Sequence, residues 1–243
     1  MYRTMLATVL LFSASALASE NHVVNSQFGA GTARWTPVGA AGLTIGWNGV
    51  GHAGAGSATV YADATQTLSA HDTFYQCVGV KEFFPYTAGG WFRYDSGYDT
   101  AGHARIVVGF FASTDCTSNY LAGPSTPDSQ TGPSYVDTFQ VLSVTGVAPG
   151  FAKSALISLL FWTTNQGTAQ GHFDDIGFVS GTSGDVNADG TRNLNDVFYL
   201  INFLFAGGPP PPGPSDVNNS DFLDVNDVFY LINYLFANGQ APQ

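Results

Sequence analysis

Glutamate is almost missing from this chain, since it occurs only at positions 20 and 82. Glycoside hydrolases need two carboxylates that face each other across a cleft, and the spacing of the aspartates marks no such pair. The 5 histidines are scattered without a His-x-x-x-His spacing, and no Gly-x-Ser-x-Gly motif occurs. The residue pattern therefore predicts no catalytic site, and it leaves a glycoside hydrolase of unrecognised type as an open alternative.

Charged side chains are also scarce, at 10% of the chain, and the acidic ones dominate, which gives a formal net charge of -11. A surface of this sign repels nucleic acids and anionic membranes, so neither is an expected partner. Long apolar runs are missing as well, because the longest, Ala155–Trp162, is broken by Ser158. After the N-terminal leader, the sequence therefore predicts no membrane-inserted segment.

The N-terminal leader, residues 1–18, has the pattern of a secretion signal. Arg3 precedes the apolar run Met5–Phe12, and Ala16-Leu17-Ala18 is a small-x-small cleavage site. We therefore expect a secreted protein, extracellular or attached to a cell surface, whose mature chain begins at Ser19. The alternative is a buried N-terminal helix.

Cysteine occurs only twice, as Cys77 and Cys116. Outside the cell, a lone pair of cysteines most often forms a disulfide. We therefore expect a Cys77–Cys116 bridge, and the alternative is two buried free thiols.

What the chain does contain is an internal repeat near its C-terminus. The run 195–202 returns letter for letter as 226–233, and Asp185-Val186-Asn187 returns as Asp216-Val217-Asn218. In each copy, apolar residues at helical spacing follow the opening loop, which predicts one amphipathic helix per repeat. The predicted helices are Asp196–Phe205 and Asp227–Phe236.

Each repeat opens with oxygen-bearing side chains at the spacing of a twelve-residue calcium loop. The first loop has Gly190 at the sharp turn, whereas the second has Ser220 and Asp221 where a carboxylate or amide and a glycine are expected. We expect two Ca²⁺ ions, the second held more weakly, and the alternative is two Asp- and Asn-rich turns without metal. The predicted ligands are Asp185, Asn187, Asp189, Thr191, Asn193 and Asp196 in the first loop, and Asp216, Asn218, Ser220, Phe222, Asp224 and Asp227 in the second, Thr191 through its backbone carbonyl.

Loop then helix, twice, with no helix before either loop, resembles the type I dockerin domain of secreted polysaccharide-degrading bacteria. The resemblance covers residues 184–239 and implies calcium-dependent folding and docking onto a cohesin-like domain of a scaffold or cell-surface protein. The chain departs from the family pattern at Ser220 and Asp221, and at Arg192, which stands where an apolar residue usually anchors the loop.

The near-identity of the two helices predicts that either one can face a partner. Tyrosine combines an apolar ring with a polar tip, which suits an interface. We therefore predict Tyr199, Tyr230 and Tyr234 as partner-binding residues, and we expect Phe198 and Phe229 to lie in the core of the helical domain.

Residues 19–180, between the leader and the repeats, have the length of one domain. We expect residues 181–184 to be a linker and residues 185–239 to form the dockerin-like domain. The first of these is rich in glycine and aromatic residues, and Gly, Pro, Asn, Asp or Ser punctuates its β-branched runs. The sequence therefore predicts a mainly β chain: an antiparallel β-sandwich with jelly-roll topology, followed by a small all-α calcium-binding domain. The predicted strands are Thr59–Tyr61, Thr73–Val80, Gly89–Tyr94, Arg105–Ala112, Tyr135–Val144, Ser154–Thr163 and His172–Val179.

Two short motifs of residues 19–180 resemble jelly-roll carbohydrate-binding modules. Val24-Asn25-Ser26-Gln27-Phe28 precedes Trp35, and His172-Phe173-Asp174-Asp175-Ile176 lies near the end. The resemblance implies carbohydrate binding and a structural calcium that uses Asp174. The alternative is that Asp174 and Asp175 cap the end of a strand, and Gly29 stands where the family carries a glutamate ligand.

Sugars present flat C–H faces, which proteins meet with exposed aromatic rings. All 4 tryptophans precede the repeats. We expect Trp35 and Trp162 to be core residues, and we predict a ligand-binding platform of Trp47, Trp91, Tyr94 and Tyr98.

Together these patterns predict a secreted, non-catalytic carbohydrate-binding protein that a calcium-dependent dockerin-like domain tethers to a partner. Its role would be in the binding or degradation of polysaccharides. The main alternative is a structural or adhesion protein whose sandwich binds other proteins.

Overall fold

The computed structural model describes residues 21–242 apart from 53, 55, 66–69, 164 and 221. The predicted leader and its cleavage site lie outside this part of the chain. Ten strands are followed by two helices in the described residues. They are β1 Thr36–Pro37, β2 Leu43–Asn48, β3 Ser57–Ala62, β4 His71–Gly79, β5 Pro85–Tyr94, β6 Gly102–Phe111, β7 Tyr120–Ala122, β8 Gln140–Val147, β9 Ser154–Thr163, β10 Ala169–Ser180, α1 Leu194–Ala206 and α2 Val225–Phe236.

The strands form two five-stranded antiparallel sheets. Sheet I has the order β1-β4-β9-β6-β7, and sheet II has the order β2-β3-β10-β5-β8. Each of the seven predicted strands overlaps a strand of the structure, which confirms a mainly β chain with a sandwich. The short β1 and β7 were not predicted, and neither was β2.

Alternation along the strands places the core between the two sheets. In β6, Ala104, Ile106 and Val108 are buried whereas His103 and Arg105 are only partly so, because successive residues face opposite sides of a sheet. The interior is rich in aromatic rings. Its largest fully buried side chains include Phe28, Phe74, Phe92, Phe110, Phe161, Phe173 and Phe178.

The predicted disulfide is present. Cys77, in β4, is bonded to Cys116, in the connection between β6 and β7, with the two Cα atoms 6.0 Å apart. The bridge therefore fastens this connection to β4 of sheet I.

The two helices begin where the calcium-loop pattern ends, and they overlap the predicted helices. The side chain of Asn193 caps α1, and that of Asp224 caps α2, each in a capping box with the aspartate three residues later. Val186, Val197 and Leu200 of the first repeat pack with Val217, Val228 and Leu231 of the second in a small core of their own. We call residues 185–239 the repeat module. None of the helices in the described residues is both long and apolar enough to cross a membrane.

The aromatic residues of the repeat module are arranged differently from the prediction. Phe198 is 58% exposed and Phe229 is 63% exposed, so neither is a core residue. Tyr199, Tyr230 and Tyr234 are instead half-buried against the small core. Tyr199 donates to the carbonyl of Pro210, and Tyr230 donates to that of Ala241. The helical period puts residues 198 and 229 on the outer side, where the neighbouring helix does not reach.

Candidate functional site

The predicted platform is divided by the two faces of sheet II. Trp47 lies in β2, an edge strand, and the register pairs it with the core residue Ala58, so it stands on the core side of the sheet. Because β2 is an edge strand, the indole remains 48% exposed, while its Nε1 donates to the carbonyl of Phe28 over 2.7 Å. Trp47 is therefore an exposed aromatic residue at the rim of the sandwich, separate from the other three residues.

Trp91 lies on the outer face of sheet II, but another ring covers it. The imidazole of His52 stacks on the indole at 3.9 Å between ring centroids and 17° between planes. A carboxylate oxygen of Asp175 lies 2.9 Å from Nδ1 of His52 and holds the imidazole in this position. The ring of Phe139 packs edge-on against the same imidazole, with 5.3 Å between ring centroids. This stacked face of Trp91 is therefore occupied by the protein itself.

The prediction that Tyr94 belongs to the ligand-binding platform is wrong. Its side chain is only 5% exposed and belongs to the sandwich core, and its hydroxyl bonds with both the N–H and the carbonyl of Gly132. Tyr98 is half-buried, and its hydroxyl donates to Oε1 of Gln170 over 2.8 Å. The alternation of β5 explains the difference, because Trp91 and Arg93 face outward while Phe92 and Tyr94 face the core.

A polar network extends from Tyr98 across the outer face of sheet II. Gln170 donates to Asp95, and Nε2 of His172 lies 2.7 Å from the same carboxylate oxygen. On the other side of the ring, Nδ1 of His172 lies 3.2 Å from the hydroxyl of Ser57. This line of serine, histidine and aspartate resembles a catalytic triad, but Ser57 and His172 are both fully buried. A nucleophile must reach its substrate, so we assign the network a structural role.

The outer face of sheet I carries an aromatic group that sequence reasoning missed. Trp162 of β9 and His103 of β6 are cross-strand neighbours, and their rings stack at 5.5 Å with 14° between planes. The guanidinium of Arg105 lies 5.6 Å from the centre of the Trp162 ring. Asp128 holds Arg105 by accepting from its Nε over 2.7 Å and from Nη2. We call these four residues the Trp162 row.

The Trp162 row combines planar groups with fixed hydrogen-bonding groups. Arginine stays charged at all ordinary pH values. Burial lowers the pKa of His103, although the carboxylate of Asp128 acts in the opposite direction. A backbone hydrogen bond to Ser129 already engages one nitrogen of the imidazole, so the ring can offer a ligand at most the other nitrogen. Such a half-buried row suits the binding of a flat, hydroxyl-rich ligand.

The sequence contains a pattern that indicates the outward position of Trp162. Phe161 and Trp162 are adjacent in a strand, so only one of them can face the core, and the structure buries Phe161 completely. Sequence reasoning placed Trp162 in the core, and the alternation of β9 overturns that expectation. The proximity of Asp128 to Arg105 was not predictable, because the segment 124–129 pairs with β6 only in the folded chain.

Asp174, the predicted ligand of a structural metal, lies at a bulge of β10 and is buried. Its carboxylate accepts from the backbone N–H groups of His52 and Asp175. Burial raises the pKa of this carboxyl group above the ordinary value of 3.8. These contacts anchor the glycine-rich segment before β3. The structural calcium at Asp174 stays a prediction.

The carboxylates of the first predicted calcium loop accept hydrogen bonds from the backbone of the loop itself. Asp185 accepts from the N–H groups of Asp189 and Gly190, and the fully buried Asp196 accepts from those of Asn187 and Asn193. Burial raises the pKa of Asp185, and the neighbouring charge of Asp196 acts in the same direction. Buried carboxylates that lack a cationic partner are costly, so the donor set fits a hard cation.

The second loop has similar contacts. The fully buried Asp227 accepts from Val217 and Asp224, and Asp216 accepts from the N–H of Ser220. The hydroxyl of Ser220 donates to the carbonyl of Phe222, so these two predicted ligands bond to each other, as Asn187 and Asp189 do in the first loop. Asp221 lies outside the described residues. Within the described part of the chain, no three His, Cys, Asp or Glu side chains group closely enough to hold a metal by themselves, so amide and carbonyl oxygens have to complete either site.

Each helix of the repeat module also carries an exposed apolar stripe. The exposed residues recur at helical spacing, and three positions of the first stripe return in the second, whereas Ile232, the counterpart of Ile201, packs against the small core. They are Leu194, Phe198, Ile201 and Phe205 on α1, and Val225, Phe229 and Phe236 on α2. Exposed apolar surface of this kind is typical of an interaction site.

Comparison with known proteins gives no family, since neither the family models nor the curated proteins contain a match. Solved structures do resemble the chain. An arabinose-bound GH51 α-L-arabinofuranosidase has a TM-score of 0.50 at 13% identity, covering 82% of this chain and 32% of that one. The enzymatically active domain of bacteriophage CBA120 tailspike protein 4 has a TM-score of 0.49 at 16% identity, covering 66% of this chain and 21% of that one.

A CBM22-1 xylan-binding domain from Paenibacillus barcinonensis has a TM-score of 0.43 at 14% identity, covering 68% of this chain and 97% of that one. The shared feature is the fold. This chain spans only about a fifth of the tailspike and a third of the arabinofuranosidase. Carbohydrate-binding modules are among the neighbours, and no family model matches the repeats.

Proposed function

We propose that this chain is a secreted, non-catalytic carbohydrate-binding protein whose sandwich binds a polysaccharide on the outer face of sheet I. The observation that carries the proposal is the Trp162 row, in which an imidazole and a guanidinium that Asp128 fixes lie beside an indole. An aromatic face takes up the C–H side of a sugar ring, and charged or neutral donors beside it take up the hydroxyl groups.

Sheet I is favoured over the platform predicted on sheet II for a physical reason. On sheet II, His52 stacks on Trp91 with 3.9 Å between ring centroids and Tyr94 is buried, whereas on sheet I the stack of His103 on Trp162 is looser, at 5.5 Å. A ligand would have to displace His52 and break its contact with Asp175 before it reached that face. On sheet I, the polar ends of the row are already held in place.

Affinity electrophoresis of the purified protein against soluble glucans, xylans and mannans tests this proposal. We expect retardation by at least one polysaccharide, and we expect Trp162→Ala to abolish it without a large loss of thermal stability. Trp47→Ala is the matched control, because Trp47 is an exposed tryptophan at the rim of the other sheet. Loss of retardation with Trp47→Ala alone would move the site to that rim.

The alternative of a protein-binding sandwich has its own observation. Phe83 and Phe151 are exposed at one end of the sandwich, and both have positive backbone φ angles, which bulky residues rarely adopt. If no polysaccharide retards the protein, and Phe83→Ser or Phe151→Ser weakens its adhesion to a protein surface, the adhesion function replaces the carbohydrate-binding one.

For the repeat module we propose two Ca²⁺ sites and a docking surface for a cohesin-like domain. The all-oxygen donor sets of the two loops support the ions, and the matching stripes on α1 and α2 support a surface that either helix can present. The stripes make Phe198 and Phe229 the anchors that we now favour, in place of the half-buried tyrosines.

Capture of partners from the source secretome on immobilised protein, in calcium and in chelator, tests the docking. With two equivalent surfaces, Phe198→Ala and Phe229→Ala singly should weaken capture mildly, and the double variant should abolish it. Tyr199→Ala and Tyr230→Ala are the comparison pair. If the tyrosine pair has the larger effect while helicity is unchanged, the tyrosines are the interface residues after all.

A further inference from the structure

The outer face of sheet I carries a second aromatic group, at the opposite end of β6 from the Trp162 row. Phe111, the last residue of β6, is paired with Tyr120 of β7, and their rings meet edge-on with 5.5 Å between centroids. Both rings lie over Gly109, since a Cβ atom at this glycine would be 3.2 Å from Phe111 and 3.3 Å from Tyr120. Tyr120 is 62% exposed. We call Phe111 and Tyr120 the Tyr120 pair.

The Tyr120 pair and the Trp162 row face the same side of the sheet. Residues 102–111 of β6 pair with β9 without a register shift, so the side chains of β6 alternate regularly between the two faces. An even number of residues separates His103 from Phe111, which puts both rings on one face. Ala104 and Phe110, which alternate with them, are buried in the core. The two aromatic groups therefore belong to one surface.

The distance between the two groups is longer than a small sugar. Along β6, the Trp162 row begins at His103, and the Tyr120 pair lies over Gly109. These two positions are separated by about 20 Å at the rise of a β-strand. A single sugar ring cannot contact both groups, whereas a chain of several rings that lies along β6 can.

The backbone around Tyr120 is fixed before any ligand binds. The connection from β6 to β7 is closed by a hydrogen bond from the N–H of Ala112 to the carbonyl of Asn119 over 3.1 Å. Within this connection, Cys116 is bonded to Cys77 of β4. An exposed ring on a fixed backbone loses little conformational entropy when a ligand packs on it, and this favours binding.

The charges near this surface favour an uncharged ligand. Asp128 already pairs with Arg105, and Asp115 lies in the connection that leads to Tyr120. An acidic polysaccharide would bring further negative charge to a chain whose formal net charge is -11. We propose that the Tyr120 pair is a second sugar-binding subsite, so that the outer face of sheet I binds a long, uncharged polysaccharide chain along β6. This proposal rests on the carbohydrate binding proposed above for the Trp162 row.

Calorimetric titration of the intact protein tests this proposal, with the polysaccharide that retards it and with a disaccharide and a hexasaccharide of the same backbone. We expect Tyr120→Ala to weaken binding of the hexasaccharide and the polymer about three- to tenfold, the size of one aromatic contact, and to leave the disaccharide unchanged. Trp162→Ala should weaken binding of all three ligands.

Two further variants control for the ring and for the fold. Tyr120→Phe keeps the ring and should bind every ligand as the unmodified protein does. Tyr135→Ala removes another exposed tyrosine, which lies outside both sheets, and should alter no affinity. Because Tyr120 is exposed, Tyr120→Ala should also leave the melting temperature unchanged.

The outcomes separate this proposal from the one on which it rests. If Trp162→Ala abolishes binding and Tyr120→Ala changes no affinity, the second subsite is overturned and the proposed function remains. If Tyr120→Ala weakens the disaccharide as much as the hexasaccharide, the extended chain is overturned. Tighter binding of an acidic polymer, polygalacturonate, than of neutral polymers would overturn the uncharged class. If the intact protein binds no polysaccharide, both proposals are wrong.

Discussion

The sandwich and the repeat module both bury carboxylates, and they stabilise them in opposite ways. Burial acts to raise the pKa of Asp95, but the hydrogen bond and charge of His172, with Gln170 and Arg93, hold it below the ordinary value of 3.8. In the repeat module, burial raises the pKa of Asp185 and of Asp227, and neighbouring aspartates add to the effect. In the sandwich, Asp95 has counter-charges nearby, whereas Asp185 and Asp227 of the module accept from backbone N–H groups, and an external cation is what we propose for them.

One carboxylate of the sandwich resembles the buried carboxylates of the repeat module. Asp174 is buried, its partners are backbone N–H groups, and its pKa is raised by burial. It is also the residue for which the carbohydrate-binding resemblance implies a structural metal. All three candidate cation sites of the chain therefore share one feature, which is a buried carboxylate that accepts from backbone N–H groups and has a raised pKa.

The largest expected effect is on the repeat module when calcium is removed. In chelator the buried aspartates repel one another, so the module should lose most of its helical circular dichroism, because metal binding and folding are coupled in such loops. The tryptophan fluorescence should not change, since all 4 tryptophans lie in the sandwich. If helicity in chelator is unchanged, the repeat module does not need a cation for its buried carboxylates, and it does not differ from the sandwich in this respect.

The disulfide should matter only to the sandwich. Cys77 and Cys116 are 39 residues apart, so replacing both by serine should lower the free energy of unfolding by about 3–4 kcal/mol, from the entropy of the opened loop. Urea unfolding followed by tryptophan fluorescence measures this loss. The calcium-dependent helicity is the internal control, and a loss there would show that the two regions unfold together.

A smaller effect separates the two kinds of buried carboxylate by pH. Because the pKa of Asp95 is lowered on folding, its contribution is present above the unfolded value, near 3.8, and is lost as the pH falls through the folded value. Asp95→Asn should therefore cost about 1–3 kcal/mol at pH 7, the usual cost of a broken buried polar contact, and less in acid. Urea unfolding of both proteins at neutral and acid pH measures the difference, and equal costs at both pH values would contradict the assignment.

The smallest effect compares the two loops. Asp185→Ala should weaken calcium binding about tenfold more than Asp216→Ala does, which corresponds to about 1.4 kcal/mol. The reason is that the first loop keeps Asp189 and Gly190, whereas the second has Ser220 and Asp221 at those positions. Calorimetric titration ranks the loops, and a larger loss from Asp216→Ala would reverse the order.

Much of the fold was predictable because it depends on local pattern. Seven strands and both helices follow from alternation and helical spacing. β2 was missed because the glycines around Trp47 resemble a loop, and pairing with β3 over its whole length makes it a strand. The candidate site was less predictable, since it depends on which rings other segments cover.

The sequence alone determined the repeat, the two oxygen-rich loops, the helices and the presence of a sandwich with a disulfide, because each of these depends on residue type at fixed local spacing. Tertiary structure decided which aromatic residues are accessible. It covered Trp91 with His52, buried Tyr94, turned Phe198 outward and set Trp162 beside Arg105. The physical reason is that exposure depends on contacts between segments distant in the chain, and a local pattern does not contain those contacts.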